Sequence, residues 1–281
     1  WKASLYFNVL HDVDVKDIQA LGFNNNELLI GHISGLSCLN LAKKSMKMIL
    51  DKNITCISVY NKTAAIGTFS NGIYFLNEHN QKVGSIQVKD GLIDNSILDL
   101  CFLDNNTLLV SSLSGTMQIG LDHRPHQISA NRFSSLHDSL GYSYIMDIYS
   151  AKDAVFLGKD KAGFSTIKDD DLISFRFLND NKTKLGSINS IAESEDGSMW
   201  LSSSRLGLLN YESDSLRQIK TIQLDDEAYT SIIPVERNNL LLIRASSIDL
   251  FDVEKEHIMY FNEEAGLIPK EAFINNFAYG E

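Results

Sequence analysis

An apolar pair spaced three residues apart recurs along this chain at a near-constant interval, and very few folds tolerate such a period. The pairs are Ile18/Leu21, Ile54/Ile57, Ile97/Leu100, Ile145/Ile148, Ile188/Ile191, Tyr229/Ile232 and Ile274/Phe277, separated by 36, 43, 48, 43, 41 and 45 residues. A second apolar run follows each of the first six: Leu28-Ile30, Ala64-Ile66, Leu108-Val110, Val155-Leu157, Met199-Leu201 and Leu240-Ile243. Small residues end most of these runs (Gly31, Gly67, Ser111, Gly158, Ser202), and a second glycine stands shortly after in Gly35, Gly72, Gly115, Gly163 and Gly207. Third runs come next, at Leu36-Leu41, Ile73-Leu76, Met117-Leu121, Phe164-Ile167, Leu208-Tyr211 and Ile248-Phe251. A variable fourth run closes each unit, as in Ser85-Val88, Leu172-Phe177 and Gln218-Leu224.

Four short strands in a period of roughly 40 residues predict a β-propeller blade, a sheet that buries its faces only by packing against copies of itself. Helical periodicity is weak throughout, and Ala42 to Leu50 is read as a fourth strand. The blades fall roughly at 15–51, 52–91, 92–141, 142–186, 187–226 and 227–271. The two ends match complementary parts of one further unit, 272–281 its opening and 1–14 its continuation. The expectation is therefore an all-β, seven-bladed propeller of four-stranded antiparallel blades, its ring closed by strands from both termini. The whole of 1–281 is read as a single propeller domain cut from a longer protein, since the chain starts at Trp1 without Met.

Charge and composition narrow the partners. The net charge of −11 argues against a nucleic-acid groove or an anionic membrane surface. Three cysteines, Cys38, Cys56 and Cys101, make no disulfide framework and read as small buried hydrophobes. No apolar run reaches the roughly 18 residues of a membrane span.

The best copy of the unit, Ile188 to Tyr211, reads INSIAESEDGSMWLSSSRLGLLNY. Its pattern I-x-x-I-x-x-x-x-x-G-x-x-W-L-x-x-x-x-x-G-L-x-x-Y resembles the two-component regulator propeller repeat, found in the extracytoplasmic sensor region of hybrid two-component systems. Ile54 to Asn77 is the second-best copy, and Gly266-Leu267-Ile268-Pro269-Lys270-Glu271-Ala272-Phe273 resembles the segment leading into that family's last blade. Only Trp1 and Trp200 occupy the Trp position, and the sixth copy has Ser246-Ser247 in place of Gly. The resemblance implies a periplasmic ligand-sensing domain, the extracytoplasmic part of an inner-membrane protein, responding to glycan-derived ligands. It also implies neighbouring propeller and β-sandwich domains, a homodimer in the full-length protein and a cytoplasmic histidine kinase beyond the membrane.

Motifs for chemistry are weak. His123 and His126 flank a turn with no third ligand near, so no metal site is expected. Asp169-Asp170-Asp171 alternate in direction on an extended chain and do not converge on a calcium ion. No nucleophile elbow and no glycine-rich phosphate cradle is present, so this domain is expected to be non-catalytic and to use no cofactor. A propeller lyase or hydrolase, with a His and acid pair near the axis, and a protein-interaction scaffold are the alternatives. In a propeller the connections between second and third strands, and those between blades, gather on one face. Here they carry His32, Lys159, Lys161, Arg205, Arg244, Tyr142, Tyr144, Asp225, Asp226 and Tyr229. Arg, Lys, His and Tyr suit a small polar ligand such as an oligosaccharide, with charged donors for hydroxyls and carboxylates and flat faces for stacking. The ligand-binding candidates are His32, Lys161, Arg205, Arg244, Tyr142 and Tyr144.

Overall fold

The structure, a computed structural model, describes residues 17–124, 127–136, 140, 143–169, 171–179, 182–219, 228–235, 239–244 and 247–261. These fall into two compact units that divide near Ser135.

The first unit holds three sheets. β1 (Ile18–Asn24), β2 (Glu27–His32), β3 (Gly35–Asn40) and β4 (Ser45–Leu50) form the first; β5 (Ile54–Tyr60), β6 (Thr63–Thr68), β7 (Ile73–Leu76) and β8 (Lys82–Ile86) the second; β9 (Ile97–Asp104), β10 (Thr107–Ser112), β11 (Gly115–Arg124) and β12 (Gln127–Ser135) the third. The second unit repeats the plan with β13 (Ile145–Ser150), β14 (Val155–Lys159), β15 (Phe164–Lys168) and β16 (Asp171–Phe175), then β17 (Ile188–Glu193), β18 (Met199–Ser203), β19 (Gly207–Glu212) and β20 (Ser215–Gln218), and last β21 (Ser231–Val235), β22 (Asn239–Ile243), β23 (Ile248–Asp252) and β24 (His257–Phe261). Every sheet is a four-stranded meander in chain order.

The architecture is thus all-β with six four-stranded sheets among the described residues, not the seven expected. Both halves of the expected seventh blade, 1–14 and 272–281, lie outside the described residues. Two fourth strands start earlier than expected. In β20, Ser213 and Asp214 take left-handed conformations (φ 49° and 60°) and turn the chain back at once, so the strand begins at Ser215 rather than Gln218. In β8 the strand ends at Ile86, because Gln87 and Asp90 form a reciprocal capping box around a 3-10 turn at Val88–Asp90.

The recurring residues now have a physical reason. Ile54, the first residue of β5, packs over Gly31 of the preceding sheet; Ile97 packs over Gly67 in the same way, and in the second unit Ile188 over Gly158. A side chain at each of these glycines would occupy the space the isoleucine fills. The later glycines have a different role. Gly72 and Gly163 both have φ of +71°, and a Cβ there would run into the carbonyl oxygens of Ile86 and Phe175 on the fourth strands.

Between the last two sheets, Ser202 replaces the glycine and its hydroxyl donates to the Tyr229 carbonyl at 2.6 Å. Trp200 sits in that interface, 1% exposed, with Tyr229, Ile232, Leu242 and Phe251. Its ring meets Phe251 edge-on at 6.1 Å, and its indole N–H donates to Ser194 Oγ at 3.0 Å. Cys38 and Cys56 are buried, Cys101 is partly so, and all three are free thiols.

Candidate functional site

The loops after the second strands are held by one repeated device. The first loop residue donates its N–H to the carbonyl just before its own sheet's first strand: Phe69 to Asn53 and Leu113 to Ser96 in the first unit, Asp160 to Tyr144 and Ser204 to Ser187 in the second. The loop glycine then reaches the next sheet, Gly72 to Asn95 at 3.0 Å and Gly163 to Gly186 at 2.8 Å. Within each unit, therefore, the loops and the connections between sheets meet on one side.

In the second unit this frame displays three of the expected ligand-binding side chains. Ser187 is its hub. Its hydroxyl donates to Asp160 Oδ1 at 2.8 Å and accepts from the Lys161 N–H at 2.9 Å, while its own N–H donates to Ser204 Oγ at 2.8 Å. Arg205 donates its N–H to Ser203 Oγ and lays its side chain over Gly186, which has a φ of +78° and no Cβ to obstruct it. Tyr144, Lys161 and Arg205 are all exposed. Lys161 has only a loose pairing with Asp160, at 3.7 Å. Their backbones are fixed and their charged or aromatic ends are in water.

The other candidates sit differently. His32 is buried, shares a 3.1 Å hydrogen bond with Ser37 Oγ, and is held towards its neutral form by burial. Arg244 is also buried. Its guanidinium donates to Asp249 Oδ2 at 2.7 Å and to the Tyr229 hydroxyl at 2.8 Å, and it lies 4.6 Å from the Tyr229 ring centre. Burial alone would weaken its charge, but Tyr229 and Asp249 more than offset that, so its pKa is raised. Arg244 is occupied inside the fold rather than presented with Arg205. Tyr142, Asp225 and Asp226 lie outside the described residues.

Two further ionisable groups stand out, Lys159, which the sequence placed among the loop residues, and the half-buried Asp147, which it did not single out. Lys159 is 1% exposed; its ammonium donates to Ser174 Oγ at 3.2 Å and approaches the Leu140 carbonyl. Burial, with the nearby Arg176, lowers its pKa to about 8. Asp147 accepts the Ile191 N–H, and burial raises its pKa to about 7. Asp147 holds the third position of its unit, where the other copies carry Ala20, Cys56, Asp99, Ser190 and Ser231. Metal chemistry finds no support in this set. His123 is bonded to the Asn105 carbonyl, His126 is outside the described residues, and among the described residues no three His, Cys, Asp or Glu side chains converge.

No protein-family model and no curated protein matches the chain. Solved structures do. The extracellular domain of the putative hybrid two-component system BT3049 from B. thetaiotaomicron aligns with a TM-score of 0.75 and 16% identity, over 93% of this chain and 36% of its own. The corresponding domain of BT4673 from the same organism gives 0.62 and 16%, over 83% of this chain and 32% of its own. This chain spans about a third of the length of either. The WD40 repeats of RRP9 align at 0.67 and 11% identity, over 92% of this chain and 82% of their own. WD40 repeats build propellers from four-stranded blades. At these identities the likeness establishes the fold, a propeller-like array of four-stranded antiparallel sheets.

Proposed function

We propose that this chain is a ligand-sensing propeller of a hybrid two-component signalling protein, exposed in the periplasm and responding to a glycan-derived ligand. The observation that carries the reading is the display of Tyr144, Lys161 and Arg205 from loops locked through Ser187, three side chains free to meet a ligand on a frame already ordered. The extracellular two-component domains that share the fold favour the same reading. Among the described residues no helix is long and apolar enough to cross a membrane. The proposal assigns anchoring and the kinase to other parts of the protein. On this reading the domain binds and transmits without chemistry of its own, next to a further propeller and a β-sandwich, in a homodimer. Titration calorimetry of the full protein against neutral and acidic oligosaccharides tests it: heat is expected for at least one, and Arg205→Ala or Lys161→Ala should reduce the affinity. If no member of the panel binds, the sensing role assigned to this domain fails.

A second reading has its own observation. Ile33, Phe69 and Leu113 occupy the same position in three successive loops of the first unit and are 48%, 54% and 43% exposed. Such a row favours a protein-interaction surface. Phe69→Asp separates the two: it should leave oligosaccharide binding intact if the domain is a ligand sensor through Lys161 and Arg205.

A further inference from the structure

The first unit holds a cleft that none of the loop candidates touches. It opens at the other end of the strands, where the β1–β2, β3–β4 and β7–β8 turns come together. Its volume is about 430 Å³, and a lobe of about 210 Å³ adjoins it through Glu27, Asn40 and Lys47. That lies within the usual range of ligand pockets, roughly 300–1,000 Å³.

The floor of the cleft is preorganised. Glu27 accepts hydrogen bonds from Asn40 Nδ2 at 2.9 Å, Asn80 Nδ2 at 2.8 Å and the Cys38 thiol at 3.0 Å. Asn80 is itself fixed by the fully buried Asn24, whose amide donates to Asn80 Oδ1 at 2.7 Å. These donors, led by Cys38, hold the Glu27 pKa down to about 2, while burial and the bond to Glu27 push the Cys38 thiol up to about 12. One wall is the turn at Asn25 and Asn26, both left-handed, with φ of 47° and 65°. Asn25 Nδ2 donates to the Glu78 carbonyl at 3.2 Å, which ties that wall to the β7–β8 turn of the next sheet.

What remains available for a ligand is uneven. A carboxylate offers about four acceptor sites, and Glu27 has three in use. Glu78 is engaged by Lys62 at 3.6 Å and His79 at 3.9 Å. Lys43 and Lys47, by contrast, are exposed and make no ion pair among the described residues, although the Lys47 charge lies near enough to Glu27 to help hold its pKa down. The free valences are therefore two ammonium groups, the Asn26 amide, the His79 ring nitrogen that does not face Glu78, and one remaining acceptor site on Glu27. The fixed Glu27 charge opposes a multiply charged anion but welcomes a hydroxyl, which can donate to it. Among the described residues a divalent cation lacks the three converging ligands it needs.

We propose that this cleft binds a saccharide carrying one anionic group, a uronate carboxylate or a sulfate ester, with Lys43 and Lys47 on the anion and Asn26, His79 and Glu27 on hydroxyls. The proposal rests on the ligand-sensing reading for the class of ligand and uses none of its loop residues. The test is titration of the full protein with digalacturonate, galactose 6-sulfate and the neutral galactose disaccharide. Digalacturonate or the sulfate should bind at least tenfold more tightly than the neutral sugar, the better of the two identifying the anion. Lys43→Gln/Lys47→Gln should weaken the acidic ligand at least tenfold without changing the melting temperature, since both side chains are in water. Equal binding of neutral and acidic sugars, or acidic binding unchanged in the double variant, overturns the cleft. Loss on Lys161→Ala or Arg205→Ala with the double variant unaffected overturns the cleft and keeps the loop site; the converse keeps the cleft and removes the loop site. Absence of any binding overturns both.

Discussion

The backbone N–H of Ile191, on the first strand of the fifth sheet, donates to Asp147 Oδ2 on the first strand of the fourth at 2.5 Å. One unit along, the Ile232 N–H donates in the same way to Ser190 Oγ at 3.0 Å. In these two units the third residue is thus a clasp to the next first strand, by carboxyl in one case and hydroxyl in the other. The two differ in what pH does to them.

Burial raises the Asp147 pKa from 3.8 to about 7, so between those values the folded protein keeps a proton that the unfolded chain gives up. The Asp147 contribution is therefore full below about pH 4 and is lost as the pH rises towards 7. Asp147→Asn keeps an acceptor for Ile191 and removes the ionisation. Urea unfolding at about pH 5 and pH 8 should show wild type losing roughly 1–3 kcal/mol relative to the variant on going to the higher pH. Parallel pH profiles for the two proteins would mean that Asp147 ionises normally in the fold.

Trp200 is enclosed between the fifth and sixth sheets, and its indole N–H is satisfied by Ser194. Trp200→Ala should cost about 3–5 kcal/mol, because it opens a cavity beside Tyr229 and Phe251 that neighbouring strands cannot collapse into. A loss below about 1 kcal/mol would show that the indole is not part of this interface.

Lys159 tests the opposite sign. Its folded pKa is lowered from 10.5 to about 8, so the fold is penalised for its charge at neutral pH and regains that stability as the pH rises from about 8 towards 10.5. Lys159→Met keeps the length and removes the charge. It should stabilise the protein at pH 7 by on the order of 1–2 kcal/mol and flatten the rise on the alkaline side. Destabilisation at pH 7 would show that the bond to Ser174 outweighs the burial of the charge.

Most of the fold was legible because its constraints are local and repeated. An isoleucine that must cover a glycine in the preceding sheet, as Ile97 covers Gly67, puts both residue types into the sequence at a fixed spacing. The outer strands were less legible because they cover little apolar surface: β4 has four exposed residues in six, and β16 three in five. Their limits follow turn geometry instead, and at Ser213-Asp214 two non-glycine residues adopt left-handed conformations that nothing in the apolar pattern announces. The site was legible in part for a related reason. Strand order predicts which loops share a side, and the loops that carry Tyr144, Lys161 and Arg205 are indeed tied together through Asp160, Ser187 and Ser204. It does not predict that Arg244 finds Asp249, five residues on, across the same hairpin.

That difference between two arginines gives the last prediction. Arg205 is exposed, bonded through its backbone alone, and its side chain rests on Gly186. Arg205→Ala should change stability by less than about 0.5 kcal/mol and, if the loop frame is the ligand site, weaken oligosaccharide binding by roughly 1.5–3 kcal/mol. Arg244→Ala should do the reverse. It strands the fully buried Asp249 carboxylate and removes the guanidinium from the Tyr229 ring, so the cost should fall on folding, about 3–5 kcal/mol. Arg244→Ala/Asp249→Ala should recover part of that loss, because the unpaired buried charge is gone. Denaturation and calorimetry on the four proteins check it: Arg244→Ala folded as stably as wild type but defective in binding would place its guanidinium at the ligand and not in the sheet.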